Sequence, residues 1–600
     1  MTERSRVDVT SVDRRRRRLR RIGLAMIAAG GSLLLAGGWL GVTALLAGSQ
    51  LNQVRADAHT LSAQISASNW PAAQATAADL ATHAHRANQL TSGPVWAAAA
   101  ALPSGGEPLQ TIRGITAGVD TLGRDALPQL VGAAQRLNPR TLRLPDGKID
   151  LSRIAAVTPA VASASEVVAR TTATIGALPR HTWLSAVDTA YADALSQATA
   201  LNSSMKSAAL AVRILPAMLG ADGPKRYFLA FQNESEARGT GGLPGAFAIV
   251  SADHGKMAFT RMENDNTLNG IAATVDFGPD YHHLYDGAAT TTLYGNGNLS
   301  PNFPYAAQIW ASMWKQHSGQ QVDGVMAVDP TALSYLLAVT GPATLPDGSK
   351  VSAGNAVALT QATSYAKFPG TGGADNARRR AYLLEVATAA SEKILGARGE
   401  PTALFRAAGK AAGERRILLW SADPAVQKDL AQTTVAGIIP TTTAPYAGLS
   451  IVNEGGNKLD YYLDRSLTWQ AGGCGTTRAT TVTIKLTNNA PASGLSPYVT
   501  GRSDARSYLV KPGDSRLSVT YLATQGALMG SVTVAGRPAT SRIGIEHGHP
   551  AYTIDLELPR GTSRTIVLHL SEPTGAGAPI VLRQPLVRPL QVRLLGTVCS

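Results

Sequence analysis

The sequence predicts an α+β multidomain protein with a transmembrane helix, a helical stalk, a central α/β domain and a C-terminal antiparallel β-sandwich. Three observations carry that expectation. Ile22 to Ala47 holds no charge, the alanine-rich region that follows repeats its apolar residues at helical spacing, and beyond residue 215 strand and helix signals alternate before giving way to short strands. At 600 residues the chain is too long for one ordinary domain.

The first element follows from charge and length. Residues 1–21 hold nine arginines, five of them in the run Arg14 to Arg18, against Glu3, Asp8 and Asp13, so this arm carries +6 of the formal +14. The 26 uncharged residues that follow suffice to cross a bilayer core of about 30 Å at about 1.5 Å per residue. A basic flank stays on the cytoplasmic side, which places everything after residue 48 outside. The alternative is a signal peptide cleaved near Ala47 and Gly48, but the apolar run is about twice the usual h-region. The arginine run therefore reads as a topology and lipid-headgroup signal: the expected partner is the membrane, not nucleic acid.

The expected organisation is a basic tail (1–21), a transmembrane helix (22–47), a helical stalk (48–215), an α/β domain (216–435) and a β-sandwich (436–600). In the stalk, Leu184, Val187, Tyr191, Leu195, Ala198, Met205 and Val212 keep to one face of a helix, while Pro94, Pro103 and Asn138-Pro139 divide the region into several helices. In the α/β domain, Tyr227 to Phe231, Ala246 to Val250 and Met257 to Met262 read as strands, the last two joined by the turn Asp253-His254-Gly255-Lys256. A helix from about Tyr305 to His317 turns Ile309, Trp310 and Met313 inward, and Asp329-Pro330 caps a further helix that Gly341 ends. The last region reads as strands at Thr481 to Leu486, Arg516 to Tyr521, Gly530 to Ala535, Tyr552 to Leu558 and Ser563 to Leu570. Cys474 and Cys599, the two cysteines, are expected to form a disulfide that ties the chain's end to an early strand; two separate thiols are the alternative.

Well-marked chemistry is sparse. The sequence has no GxxxxGK[ST], GxSxG, HExxH or GxGxxG motif. Asp280, His282, His283 and Asp286 carry metal-capable side chains in a loop, which a solvated loop explains equally well, while His547 and His549 could share one face of a strand, as a metal would need, but have no further ligands beside them. A better signal is Asp375-Asn376-Ala377-Arg378-Arg379-Arg380, at the start of a helix whose apolar face is Leu383, Ala387, Ala390 and Ile394. With Asp375 as N-cap, three arginines fall where the macrodipole disfavours cations, which suits a phosphate or pyrophosphate ligand held by Arg378 and Arg380, with Arg379 pointing away; the alternative is that these arginines are solvated or pair with Asp375 and Glu385. The glycine-rich segment before it, Phe368 to Gly373, suits either ligand entry or a plain linker.

A second signal is FQNESEARGTGG, Phe231 to Gly242, where a buried strand breaks into charge and glycine. Glycines at Gly241 and Gly242 permit close backbone approach to an anion and Arg238 supplies charge; the alternative is a turn closed by a Glu234–Arg238 pair.

RYFLAFQNESEARGTGG, AFAIVSADHGK, NLSPNFPYAAQIW, VDGVMAVDPTALSYLLAVTGP and DNARRRAYLLEVA resemble an uncharacterised, mainly actinobacterial family of membrane-anchored proteins defined by a domain of unknown function. The likeness runs from SGPVWAAAAALP to NEGGNKLDYYLDRSLTW. More distantly, the α/β region resembles the LytR-CpsA-Psr phosphotransferases, which move glycopolymers from a polyprenyl-pyrophosphate lipid with a divalent metal. That resemblance implies anion contacts at Arg238, Arg261, Arg378 and Arg380, and a metal, Mg²⁺ by analogy, at Asp265 and Asp375. The chain departs from that pattern: Thr240-Gly241-Gly242 replaces an expected aspartate, and Arg261 and Asp265 are not adjacent.

The expectation is a single-pass type II membrane protein of the cell envelope that binds envelope polysaccharide or a protein partner without catalysis, with the sandwich as its recognition module. The alternative is binding of a polyprenyl-linked glycan, or phosphotransfer, in cell-wall or exopolysaccharide assembly.

Overall fold

The apolar run lies inside one helix, α1 (Val9–Ser66), 58 residues long. A computed structural model describes residues 9–397, 401–504, 507–596 and 599. Among these residues α1 supplies the one helix long and apolar enough to cross a membrane, over Leu34–Ser66. Of the basic arm, residues 1–8 lie outside the described residues.

The fold is α+β, and the chain divides into two compact units, Met1–Leu142 with Ser152–Leu215 and Arg143–Leu151 with Pro216–Ser600. The first is helical. The C-terminal half of α1 pairs with α2 (Trp70–Thr91), followed by α3 (Pro94–Ala100), α4 (Glu107–Thr121), α5 (Leu151–Gly176) and α6 (Ser185–Met218). Alanines make the close contacts: Ala73, Ala84 and Ala87 of α2 are fully buried, so helix backbones approach without large side chains between them. Val187, Tyr191, Ala198, Met205 and Val212 of the predicted stripe are buried in α6. Leu184 is not, because the helix begins after it, and its side chain is exposed.

The second unit is built on a five-stranded sheet, ordered β3-β2-β1-β4-β7. Its strands are β1 (Lys225–Arg238), β2 (Gly241–Asp253), β3 (Lys256–Asn264), β4 (Gly324–Val328) and β7 (Ile417–Ser421); β5 (Ala343–Thr344) and β6 (Lys350–Val351) form a separate small ladder. β1 is central, antiparallel to β2 and parallel to β4. The β2–β3 turn takes positive φ at His254 (45°) and Gly255 (82°), the two-residue geometry that matches strand twist. A side chain at Gly255 would strike the backbone of Ile149, whose N–H bonds the Gly255 carbonyl at 3.0 Å.

Helices cover both faces, so β1 is apolar on both sides. On one, α7 (Phe303–Ser318) lays Ile309, Trp310, Met313 and Trp314 on Phe228 and Phe247. On the other, α8 (Pro330–Thr340) and α9 (Gly373–Leu395) bury Leu333, Leu337, Tyr382 and Val386 against Tyr227, Leu229, Ala248 and Val250. The α8 cap is as predicted: the Asp329 carboxylate accepts from the Ala332 N–H at 2.7 Å.

The rest of this unit forms two sheets. One is ordered β13-β12-β16-β10-β9-β18 and the other β14-β15-β11-β8-β17. Their strands are β8 (Tyr446–Asn453), β9 (Leu463–Gly472), β10 (Thr477–Asn488), β11 (Ser515–Ala523), β12 (Leu528–Val534), β13 (Arg537–Pro538), β14 (Arg542–Glu546), β15 (His549–Leu558), β16 (Ser563–Pro573), β17 (Ile580–Arg583) and β18 (Gln591–Gly596). Leu467, Val482 and Ile484 of the first share one core with Leu449, Val519 and Ile554 of the second. Neither sheet is wholly antiparallel. β17 runs parallel to β8 and β18 parallel to β9, because the C-terminal segment lies along an edge of each sheet in turn. A Cys474–Cys599 disulfide then fastens that segment beside the β9–β10 hairpin, closing a loop of 125 residues.

Candidate functional site

β1 continues past its apolar half, and Gln232, Glu234, Ser235, Glu236 and Arg238 all stay buried at the carboxyl end of the sheet. Buried charge needs partners, and two networks supply them. In the first, Glu234 accepts from Thr331 (3.1 Å), from Arg416 (3.1 Å) and from Gln361, while Arg416 also donates to Asp329 (2.8 Å), Glu414 (2.9 Å) and the Leu586 carbonyl (2.9 Å). Burial, and then the neighbouring Asp329 charge, push the Glu234 carboxyl well above its usual range. In the second, Glu236 is held between Arg238 (2.9 Å) and Lys458. Burial opposes its ionisation, but the Lys458 and Arg238 charges outweigh that and hold its pKa low. Beside it, Asp460 accepts from the Ala237 N–H (2.7 Å) and Asn453 (2.8 Å), and burial pushes its carboxyl up to about 6.

The glycines serve the same closure. A Cβ at Gly239 would fall 2.1 Å from the Leu299 carbonyl oxygen, and one at Gly242 2.1 Å from the Asn233 carbonyl carbon, so the close approach is to the chain's own backbone. Gly241 lies against Pro585 and the Gln232 side chain. The Arg238 carbonyl accepts from Gln584 at 2.6 Å, and its guanidinium reaches the carbonyls of Gly295 (3.1 Å) and Asn453 (3.2 Å). This end is therefore stitched to the C-terminal sheets. The expected Glu234–Arg238 pair is replaced by Glu236–Arg238, because both networks draw on residues distant in the chain.

Each of the other predicted arginines has a carboxylate partner, and two of those partners, Asp265 and Asp375, are themselves predicted site residues. Arg261 pairs with Glu263 (2.5 Å) and sits over the Trp314 ring. Arg380 meets Asp265 at 3.0 Å, whose carboxyl burial raises although the Arg380 charge opposes it. Arg378 pairs with Asp375 at the surface. Asp375 is not the N-cap: α9 begins at Gly373, and the carboxylate accepts from the Gly370 N–H at 2.6 Å within the first turn. Arg379, expected to point away, is the buried one. The core stripe runs through Tyr382, Val386 and Ala390, so position 379 falls on it, with the guanidinium 3.4 Å from the Tyr498 ring centre and donating to the Phe368 (2.5 Å) and Gly370 (2.9 Å) carbonyls. The Phe368–Gly373 segment is thereby tied down.

Among the described residues no group of three or more His, Cys, Asp or Glu side chains is arranged to hold a metal. His282 bridges Asp276 (2.9 Å) and Asp286 (2.8 Å), and His549 is buried between the Ala523 and Pro440 carbonyls.

An open concavity lies at the opposite, amino end of the same sheet. It encloses about 630 Å³ between the start of β1 (Lys225, Tyr227), the approach to β4 (Gln321, Asp323), the end of β7 (Trp420, Ser421) and the outer turns of α7 (Ser312, Lys315). Asp323 braces its rim. Its carboxylate accepts from the Arg226 N–H (2.8 Å) and Lys225 (3.3 Å), and its carbonyl from the Ala422 N–H (2.9 Å). The Tyr227 hydroxyl donates to the Met218 carbonyl at 2.7 Å, and burial, then the Asp323 charge, push its pKa up. Asp423 caps the short helix α10 (Pro424–Leu430), accepting from the Ala425 N–H at 2.8 Å. Trp420 is half-buried, and Lys315 is exposed and makes no ion pair among the described residues. The arrangement offers an aromatic surface flanked by amide, hydroxyl and ammonium groups.

Residues 222–365 match the family model described as protein of unknown function, DUF4012. No curated protein and no solved structure matches the chain. The matched segment runs from just before β1 to Tyr365 and contains Glu234, Asp329, Thr331 and Gln361 of the first network. Arg416, Lys458, Asp460 and Trp420 lie beyond it.

These last residues were missed by sequence reasoning. Arg416 stands immediately before the apolar run Ile417 to Trp420, the same charge-beside-strand signal that marked Glu234, and pairing the two would have found the first network.

Proposed function

We propose that this chain is a single-pass, type II envelope protein with its bulk outside the membrane, and that it binds envelope polysaccharide at the amino-end cleft without catalysis. In this reading the two C-terminal sheets form a β-sandwich that braces the α/β domain, and recognition belongs to the α/β domain. The observation that carries it is the cleft itself: half-buried Trp420 flanked by Lys225, Lys315, Gln321 and Asp323. An apolar ring face with convergent polar groups suits a sugar, which presents C–H on its faces and hydroxyls at its edges. Lys315 adds a cation for an acidic substituent.

The alternative, a polyprenyl-pyrophosphate binder or phosphotransferase, has less support. It needs Arg238 beside Arg378 and Arg380, and Arg238 is buried with Glu236 while Arg380 is engaged by Asp265.

The test is binding of detergent-solubilised full-length protein to immobilised envelope polysaccharides. The reading expects capture that Trp420→Ala weakens about tenfold, in line with the loss of one aromatic contact. Capture unchanged in Trp420→Ala, or capture by none of the polysaccharides, overturns it.

A further inference from the structure

The helical unit carries an apolar tip whose height along α1 is fixed. The Trp96 indole N–H donates to the Thr43 hydroxyl at 2.9 Å, and Trp96, Thr43 and Ala47 are buried together, so α3 is docked on α1 beside residues 43–47. Thr43 stands 22 residues beyond Arg21, the last charge before the apolar run. At about 1.5 Å per residue that is about 33 Å, the outer boundary of a bilayer core of about 30 Å.

What the tip presents there is mostly apolar, with Glu107 and Arg113 lining the groove beside Leu102 and the Glu107 carboxylate accepting from the Gly105 N–H at 3.0 Å. From Ala87 to Gly106 the chain has no charged residue. Val95 (40% exposed) and Leu102 (58%) project from α3 and the turn after it. Trp183 (66% exposed) joins them, its indole N–H donating to the Gly105 carbonyl at 3.0 Å, and exposed Leu184 follows. Exposed Arg180 and His181 adjoin this group in sequence. An amphipathic tryptophan with neighbouring aliphatic and cationic side chains is the composition of a membrane–water interface, and it is unusual on a water-facing surface.

We propose that this tip, Val95, Leu102, Trp183 and Leu184, inserts into the outer leaflet of the bilayer that α1 spans, so that the helical unit rests on lipid as well as hanging from one helix. The occupant is the lipid surface, because the Trp96–Thr43 contact holds the tip beside the span itself. The inference rests on reading α1 as a membrane span, and it adds a second membrane contact.

The experiment uses full-length protein in vesicles of phosphatidylethanolamine and phosphatidylglycerol, since both native cysteines are joined in the disulfide. An environment-sensitive fluorophore is placed at Leu102→Cys, at Leu34→Cys within the span, and at Ala75→Cys, exposed near the start of α2, where α2 packs against α1 around Leu61. Each is quenched with spin-labelled lipid or with aqueous iodide. The expected result is several-fold stronger lipid quenching at Leu102 than at Ala75, approaching that at Leu34. If Leu34 is quenched by lipid while Leu102 behaves like Ala75, the tip inference falls and the anchor stands. If Leu34 is not quenched by lipid, both fall. Shielding of Leu102 from both quenchers means that protein covers the tip, which also overturns the inference.

Discussion

The two ends of the central sheet use similar residues to opposite effect. At the carboxyl end, where open α/β sheets usually hold their ligands, Glu234, Glu236 and Arg238 are buried beneath the C-terminal sheets with Arg416 and Lys458. At the amino end, Lys225 and Asp323 pair at the rim of an open cleft and Lys315 is left exposed. A charged, glycine-rich strand end is thus a poor guide to a binding site until its partners are known. What decides is whether another layer of the fold covers it.

The contrast makes graded predictions. The largest effect is expected at Arg416→Ala, which leaves Glu234 and Asp329 buried without their cation and should lower the stability of the α/β and C-terminal unit by about 3–5 kcal/mol in denaturant unfolding. A loss below about 1 kcal/mol would mean that the carboxyl end is hydrated and open.

Next is the pH response of Glu546, at the contact between β14 and Tyr285. Burial pushes this carboxyl up to about 7 from 4.5, with Tyr285 and Ser300 (3.1 Å) donating to it. A carboxyl with a raised folded pKa stabilises the fold fully below its unfolded pKa, and that stability is lost as pH rises through the folded value. Stability should therefore fall between about pH 4.5 and 7, by on the order of 3 kcal/mol at most, and Glu546→Gln should flatten that slope. Asp460, raised in the same direction, leaves a residual slope.

Lys458→Ala should cost about 2 kcal/mol, less than Arg416→Ala because Arg238 still faces Glu236. Arg380→Ala should have the smallest effect, within about 1 kcal/mol, since its pair with Asp265 is partly solvated, and it should leave polysaccharide capture unchanged.

What the sequence made legible were features set by neighbours in the chain. The Asp329 cap, the inward face of α7 and the β2–β3 turn depend on residues within a few positions of one another. The networks do not: Arg416 meets Glu234 across 182 residues, and Lys458 meets Glu236 across 222. The arginine-rich opening of α9 is visible in the sequence, but its helical phase is not. Leu383 and Tyr382 are both apolar neighbours, and only packing against the sheet selects Tyr382 and so buries Arg379. Nor does a motif mark the cleft, because Lys225, Lys315, Asp323 and Trp420 come from four separate elements that the fold brings together.

The central claim is that the amino end of the sheet is open to ligand and the carboxyl end is sealed by the protein itself. Hydrogen–deuterium exchange of the full-length protein with and without a captured polysaccharide tests both halves at once. The account predicts ligand-dependent protection at residues 225–227, 312–315 and 420–423, and slow, ligand-independent exchange across 232–242. Protection that appears instead at 232–242 and at the start of α9 would contradict it, and would return the site to the end where the arginines lie.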